Sequence, residues 1–428
     1  MKRRDFITRG TMAAAGIGTL LGSSCNTDSS GENKKTDNAN NPSFELDEID
    51  IVTLQKKFAD GSYSSESVTK RYLQRIAEID QAGHLLRSVI ELNPDAIAIA
   101  QAMDEERKAG KIRGPLHGVP VLIKDNIDTA DKMQTTAGSL ALEGNIATSD
   151  AFVVRKLREA GAVLLGKTNL SEWANFRSTQ SCSGWSSRGS QTKNPYILDH
   201  SPCGSSSGSG AAVSANLCMV AVGTETDGSI TCPASTNGIV GLKPTVGLVS
   251  RTGIIPISST QDTAGPMGRT VTDVAILLNA LVGADESDAI TRESLGRVPG
   301  DYTHFLDSNA LKGKRIGIEK KAQGKNQFMH AILQKAIDQL KQQGATIVEI
   351  EYLDRINELG DFEFELMKFE FKDGLNRYLA NTRGNIKSLR DVIEFNKKNE
   401  DRMMPFFKQE ILESSDEKGA LVSASYKE

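Results

Sequence analysis

The chain has 428 residues, 25% of them charged and 38% hydrophobic, with a formal net charge of −4. This length allows two or three domains with a sizeable core, and the acidic balance leaves no basic footprint for nucleic acid. The five cysteines (Cys25, Cys182, Cys203, Cys218, Cys232) show no C-x-x-C spacing, so they indicate neither a zinc site nor a disulfide framework, and no H-E-x-x-H occurs among the five histidines.

The N-terminus reads as an export signal. Lys2, Arg3 and Arg4 precede an apolar run over residues 12–22 that is too short to span a bilayer. The twin arginines followed by Phe6 resemble a signal for the twin-arginine route. Leu21 to Cys25 resembles a lipobox with its leucine one place early, which makes Cys25 a candidate lipid attachment point and membrane tether. Residues 26–43 carry no large apolar side chain and read as a disordered tether.

Helical periodicity follows over 46–58, then over a segment capped by Ser64 or Ser65, then over 94–109 with Gly110 just past its end. Val121 to Ile123 reads as a buried strand, with Lys124 at its end beside Asp125 and Asn126. A lysine at the edge of a dry core is one arrangement that yields a neutral amine, because desolvation lowers its pKa. A helix over 150–160 and a strand over 162–165 come next. There Gly161, Gly166, Lys167 and Thr168 fit the phosphate-loop pattern G-x-x-x-x-G-K-T. That loop needs a strand before its first glycine, and this chain has a helix before it and a strand within it, so nucleotide binding is rejected.

Residues 170–176, with Trp173, predict another helix, and 181–194 a polar loop. Short strands are expected at 239–242 and 246–250, and a helix at 270–281. A strand–helix–strand unit is expected over 315–351, then a mostly helical, charged remainder over 361–427.

The stretch from Cys203 to Cys232 is the candidate reaction site. A glycine/serine loop leads through an apolar run to Thr226-Asp227-Gly228-Ser229, so hydroxyls lie on both sides of a segment that favours burial. This pattern suits a nucleophile and backbone N–H groups aimed at a developing oxyanion. A serine nucleophile needs a base. His200 is near in sequence but nothing else marks it, and Lys124 fits better.

GVPVLIKDN, PCGSSSGSG and GTETDGSI, in that order, resemble the amidase signature family, and bacterial peptide amidases within it. GAVLLGKTNLSEWANF, GIVGLKPTVGLVSRTGIIPIS and QDTAGPM match as well, so the resemblance covers roughly residues 46–428. It implies an α/β fold: one large domain over 44–428, with a mixed, twisted central sheet under helices on both faces. It also implies a core that continues past Glu428.

By position, the resemblance makes Ser229 the nucleophile and Ser205, behind a cis peptide bond, the relay. Lys124 is then the base, and the N–H groups of Thr226, Asp227, Gly228 and Ser229 form the oxyanion hole. The expected reaction is carboxamide hydrolysis on amidated peptides or amino-acid amides, with no cofactor, in an exported chain of the periplasm or cell envelope. Two other readings are a glutamine-hydrolysing A-type subunit of a tRNA-dependent amidotransferase and an inactive, truncated chain. This chain departs from many relatives in having Asp227 where a second glycine precedes the nucleophile, and in having Ser207 and Ser209 at places often occupied by glycine or another small residue.

Overall fold

The computed structural model describes residues 44–323 and 326–428. The expected export signal, Cys25 and the tether lie outside them. The chain from Leu46 to Glu428 forms one compact unit.

Two amphipathic helices open it, α1 (Ile51–Ala59) and α2 (Ser65–Arg75). The Asp50 carboxylate accepts from Thr53 N–H to cap α1, and Ser64 caps α2 through a reciprocal pair with Ser67. The sheet then builds from β1 (Val89–Leu92), α3 (Ala96–Lys108), β2 (Pro120–Lys124), α4 (Phe152–Glu159) and β3 (Val163–Thr168). A small hairpin, β4 (Trp185–Ser186) and β5 (Ser190–Gln191), interrupts it. It resumes with α5 (Ser207–Ser214), β6 (Val220–Glu225), α6 (Thr231–Thr236), β7 (Val240–Gly241), β8 (Thr263–Gly268) and α7 (Val271–Leu281).

Six strands lie in the order β1-β3-β2-β6-β8-β7. β2 pairs in parallel with both β3 and β6, while β1, β8 and β7 join antiparallel. Every residue of β2, β3, β6 and β8 is buried, so both faces of the sheet are covered. Among the covering helices are α2 and α3 over β3, α5 over β2, β3 and β6, and α7 over β6 and β8.

A second, two-stranded parallel sheet follows: β9 (Arg315–Glu319), α8 (Gln327–Gln342) and β10 (Thr346–Ile350). Four more helices, α9 (Leu353–Ala380), α10 (Leu389–Lys398), α11 (Glu400–Met403) and α12 (Glu410–Asp416), precede a last short turn, α13 (Ala424–Lys427). Phe371, Leu375 and Leu379 of α9 pack with Trp173, Phe176 and Ile255, which brings the C-terminal helices against the main unit.

The structure corrects three local expectations. Residues 170–176 form no α-helix. A short 3-10 segment, Glu172–Asn175, carries left-handed backbone at Trp173, Ala174 and Asn175 (φ 52°, 54° and 70°). Distant carbonyls hold its backbone instead: Ser171 N–H donates to Ser205 O and Trp173 N–H to Ala137 O. The glycine/serine stretch is not loop throughout, because α5 starts within it. Its glycines permit close approach: a Cβ at Gly208 would stand 2.3 Å from Ser88 O. Residues 246–250 form no strand, and the last long strand of the sheet is β8, at 263–268.

Candidate active site

The site forms where β2 and β6 end side by side. Lys124 closes β2 and is fully buried. Its Nζ lies 2.8 Å from Ser205 Oγ, 2.8 Å from Thr224 Oγ1 and 3.2 Å from Thr224 O. Asn126 Nδ2 also donates to Thr224 Oγ1, at 3.0 Å. Burial lowers the pKa of Lys124 to about 7, against the opposing pull of Asp262 and Glu225. At neutral pH a large fraction of this amine is uncharged.

Ser205 follows a cis peptide bond from Gly204. Its neighbour Ser206 fixes the loop to β6: Ser206 Oγ donates to Thr224 O at 3.1 Å and accepts from Thr224 N–H at 3.2 Å. Ser206 N–H donates to Ser229 O at 3.1 Å. The Ser205 loop and the Ser229 turn are therefore adjacent. Ser229 is 7% exposed. Its hydroxyl hydrogen-bonds to no protein group among the described residues, so the structure joins Lys124 to Ser205 but makes no Ser205–Ser229 hydrogen bond.

The turn from Thr226 to Ser229 is held at both ends. The Glu225 carboxylate accepts from Ile230 N–H (2.6 Å) and Thr231 N–H (2.9 Å), capping α6. Thr226 Oγ1 donates to Asp262, whose carboxylate also accepts from Ile257 and Ser258 N–H. Gly228 has φ +77° with open space where a Cβ would go, so the backbone conformation is what calls for glycine. The N–H groups of Gly228 and Ser229 donate to no protein group among the described residues. Asp227 is exposed.

Cys203 and Cys232 form a disulfide, with Cα atoms 6.0 Å apart. The cysteine spacing indicates no disulfide framework, and this bridge is one that it did not reveal. One pair 29 residues apart has no spacing signature, and folding rather than sequence pattern brings the two together. Cys182 and Cys218 are free.

The phosphate-loop pattern is strand β3. Lys167 is buried there and donates to Ile127 O (2.7 Å) and Thr135 Oγ1 (2.9 Å), so it ties down the segment that follows Lys124. His200 is exposed and pairs with Asp199. Among the described residues, no group of three or more His, Cys, Asp or Glu is arranged to hold a metal ion.

A cavity of about 580 Å³ opens beside the site, with Asn126, Thr224 and Thr226 at one side and Ile257, Glu370 and Tyr378 at another. Tyr378 O–H donates to Asp128 at 2.7 Å, which fixes this part of α9 to the segment after β2. Sequence reasoning missed Thr224, Ser206 and Asp262 as partners of the site. Thr224 stands inside GTETDGSI and Ser206 inside the serine loop, so proximity to the motif residues was the available signal.

A family model described as Amidase matches residues 67–425. The chain belongs to the amidase family. This amidase-family chain is 46% identical over 363 residues to a probable amidase of Arabidopsis thaliana, covering 82% of this chain and 69% of that one. The X-ray structure of a peptide amidase from Stenotrophomonas maltophilia superimposes with a TM-score of 0.87 at 51% identity, over 90% of this chain and 78% of that one. The A-type subunit of the glutamyl-tRNA(Gln) amidotransferase of Rippkaea orientalis is 43% identical over 303 residues, covering 70% of this chain and 60% of that one. The chain thus spans about two thirds of the length of these curated relatives. The mixed central sheet is that of the amidase structures it superimposes on.

Proposed function

We propose that this chain hydrolyses carboxamides, R–CO–NH2 and water giving an acid and ammonia, through an acyl-enzyme on Ser229. The carrying observation is the buried amine of Lys124 at 2.8 Å from Ser205 Oγ. An uncharged amine has two N–H donors and one lone pair. Thr224 O can only accept, and Thr224 Oγ1 offers a second acceptor, so the lone pair is left facing the Ser205 hydroxyl.

In this reading a relay runs from Ser229 through Ser205 to Lys124, with the Ser205–Ser229 contact forming when substrate is bound. As Ser229 Oγ attacks the carbonyl carbon, its proton passes to Ser205 Oγ, and the Ser205 proton passes to Lys124 Nζ. The carbonyl oxygen gains charge and is met by N–H groups of the turn from Thr226 to Ser229. When the C–N bond breaks, Ser205 gives a proton to the leaving nitrogen and recovers one from Lys124. Ammonia departs, and water then cleaves the ester by the same relay.

Amidated peptides and amino-acid amides are the preferred substrates in this reading. Support comes from the likeness to a peptide amidase and from the cavity beside the site. The chain works outside the cytoplasm. It is exported by its first 25 residues and is either periplasmic or anchored to the cell envelope through a lipid at Cys25. The Cys203–Cys232 disulfide fits an oxidising compartment.

The likeness to one component of an amidotransferase favours a second reading, glutamine hydrolysis within a complex. The export sequence weighs against it. Ammonia release by the purified chain from peptide amides, amino-acid amides and glutamine tests the choice, with an acyl-directed serine probe applied in parallel. Release from peptide amides and probe on Ser229 are expected. Glutamine turnover that needs a co-purifying partner supports the second reading, and a chain that stays unlabelled and inactive both alone and with its co-purifying proteins rejects both.

A further inference from the structure

Ser205 and Ser229 lie on separate segments, and one covalent link joins them. Cys203 stands just before Gly204, and its partner Cys232 stands three residues after Ser229, on α6. The other ties between these segments are hydrogen bonds, among them Ser206 N–H to Ser229 O and Asn237 Nδ2 to Pro202 O (2.8 Å). The relay side is firmly seated, with Ser205, Ser206 and Ser207 all buried. The α6 side is seated on one face only: Ala234 packs with Ile230 and Met267 and Glu225 caps the six-residue helix, while Thr231, Cys232, Ser235 and Thr236 are exposed.

We infer that the Cys203–Cys232 disulfide is a positioning brace that holds the Ser229 turn in register with the Ser205 loop, so that turnover follows the thiol–disulfide state of the surroundings. The inference rests on the hydrolase reading above. Attack and proton relay depend on alignment at the ångström scale, and a misplacement of about 1 Å costs about 100-fold. Exposure of Cys232 lets a soluble dithiol reach the bond. The S–S bond breaks, two thiols form, and the dithiol supplies two electrons and two protons as it closes to its own cyclic disulfide. The contacts of Lys124 with Thr224 join β2 to β6 and involve neither cysteine.

The test uses the purified full chain, oxidised and then reduced with dithiothreitol, at a temperature where circular dichroism shows the reduced fold intact. Reduction is expected to lower kcat for a peptide amide by about 10- to 100-fold. KM and the acid limb of the pH profile should stay in place, and oxidised glutathione should restore kcat. The double variant Cys203→Ser/Cys232→Ser should be slow and indifferent to dithiothreitol, whereas Cys182→Ser should respond as the parent does. Unchanged kcat after alkylation and mass spectrometry prove full reduction would overturn the brace, as would a loss that only tracks unfolding. An oxidised chain that turns over no amide would overturn the hydrolase reading, and the brace with it.

Discussion

Two lysines stand at the ends of parallel strands in this molecule, and their surroundings make them opposites. Lys124 ends β2, which has parallel neighbours on both edges and no exposed residue. Lys320 follows β9, which has one neighbour, β10, and exposed positions along its length. The Lys320 side chain is 53% exposed and pairs with Glu349 and Glu351. Its hydrogen bond to Glu351 holds its pKa above the ordinary lysine value, while burial takes Lys124 down to about 7. The residue type and the strand-end position are shared. Desolvation, with acceptors placed to receive the amine's N–H groups, is what turns one of them into a candidate base.

Replacing each lysine with methionine is the sharpest way to break that comparison. Lys124→Met should reduce kcat/KM for a peptide amide by about 10²- to 10⁴-fold, the range for a lost general base. Ser229→Ala should fall further, to background hydrolysis. Ammonia release measures both. Near-normal turnover in Lys124→Met would mean that burial of this amine serves the core and not the reaction.

The pH profile reads the same contrast without mutation. A lysine with its pKa near 7 is protonated below that pH and cannot accept the Ser205 proton. kcat/KM should therefore fall about tenfold per unit as pH drops below about 7, and level off above about 8. A limb near the ordinary lysine value would show that burial does not lower the pKa of the base.

How much of this was readable beforehand depended on whether a residue acts through its own segment. Lys124 could be placed because Val121 to Ile123 is an uninterrupted apolar run with the lysine at its end. The turn before Ser229 could be placed because glycine and hydroxyl residues cluster there. α5 was hidden because burial on all sides removes the periodicity that marks a surface helix. β8 was hidden by Gly265, Pro266 and Gly268, which are weak strand formers; at Gly265 a Cβ would stand 2.3 Å from Leu242 O, a close approach set by a partner outside the segment. The left-handed run at Trp173 and the contact of Tyr378 with Asp128 arise from partners far along the chain. No local pattern carries them.

Asp262 sharpens the comparison from the electrostatic side. Its charge and that of Glu225 favour the ammonium form of Lys124, against the larger effect of burial. Asp262→Asn retains an acceptor for Thr226 and removes the charge, so the acid limb of kcat/KM should move to lower pH. A limb that stays in place would mean that Lys124 does not feel this carboxylate, and a shift to higher pH would mean that the sign is wrong.

The smallest effect is expected at the exposed partner. Lys320→Met removes a charge that solvent already screens and whose ion pairs are formed at the surface. Turnover, the pH profile and the thermal midpoint should all match the parent chain. This outcome carries weight because the substitution is the same one that disables β2, so residue chemistry is held constant and the environment alone differs. If Lys320→Met lowered kcat/KM as Lys124→Met does, the second sheet would be coupled to the reaction, and desolvation would no longer account for the difference between the two lysines.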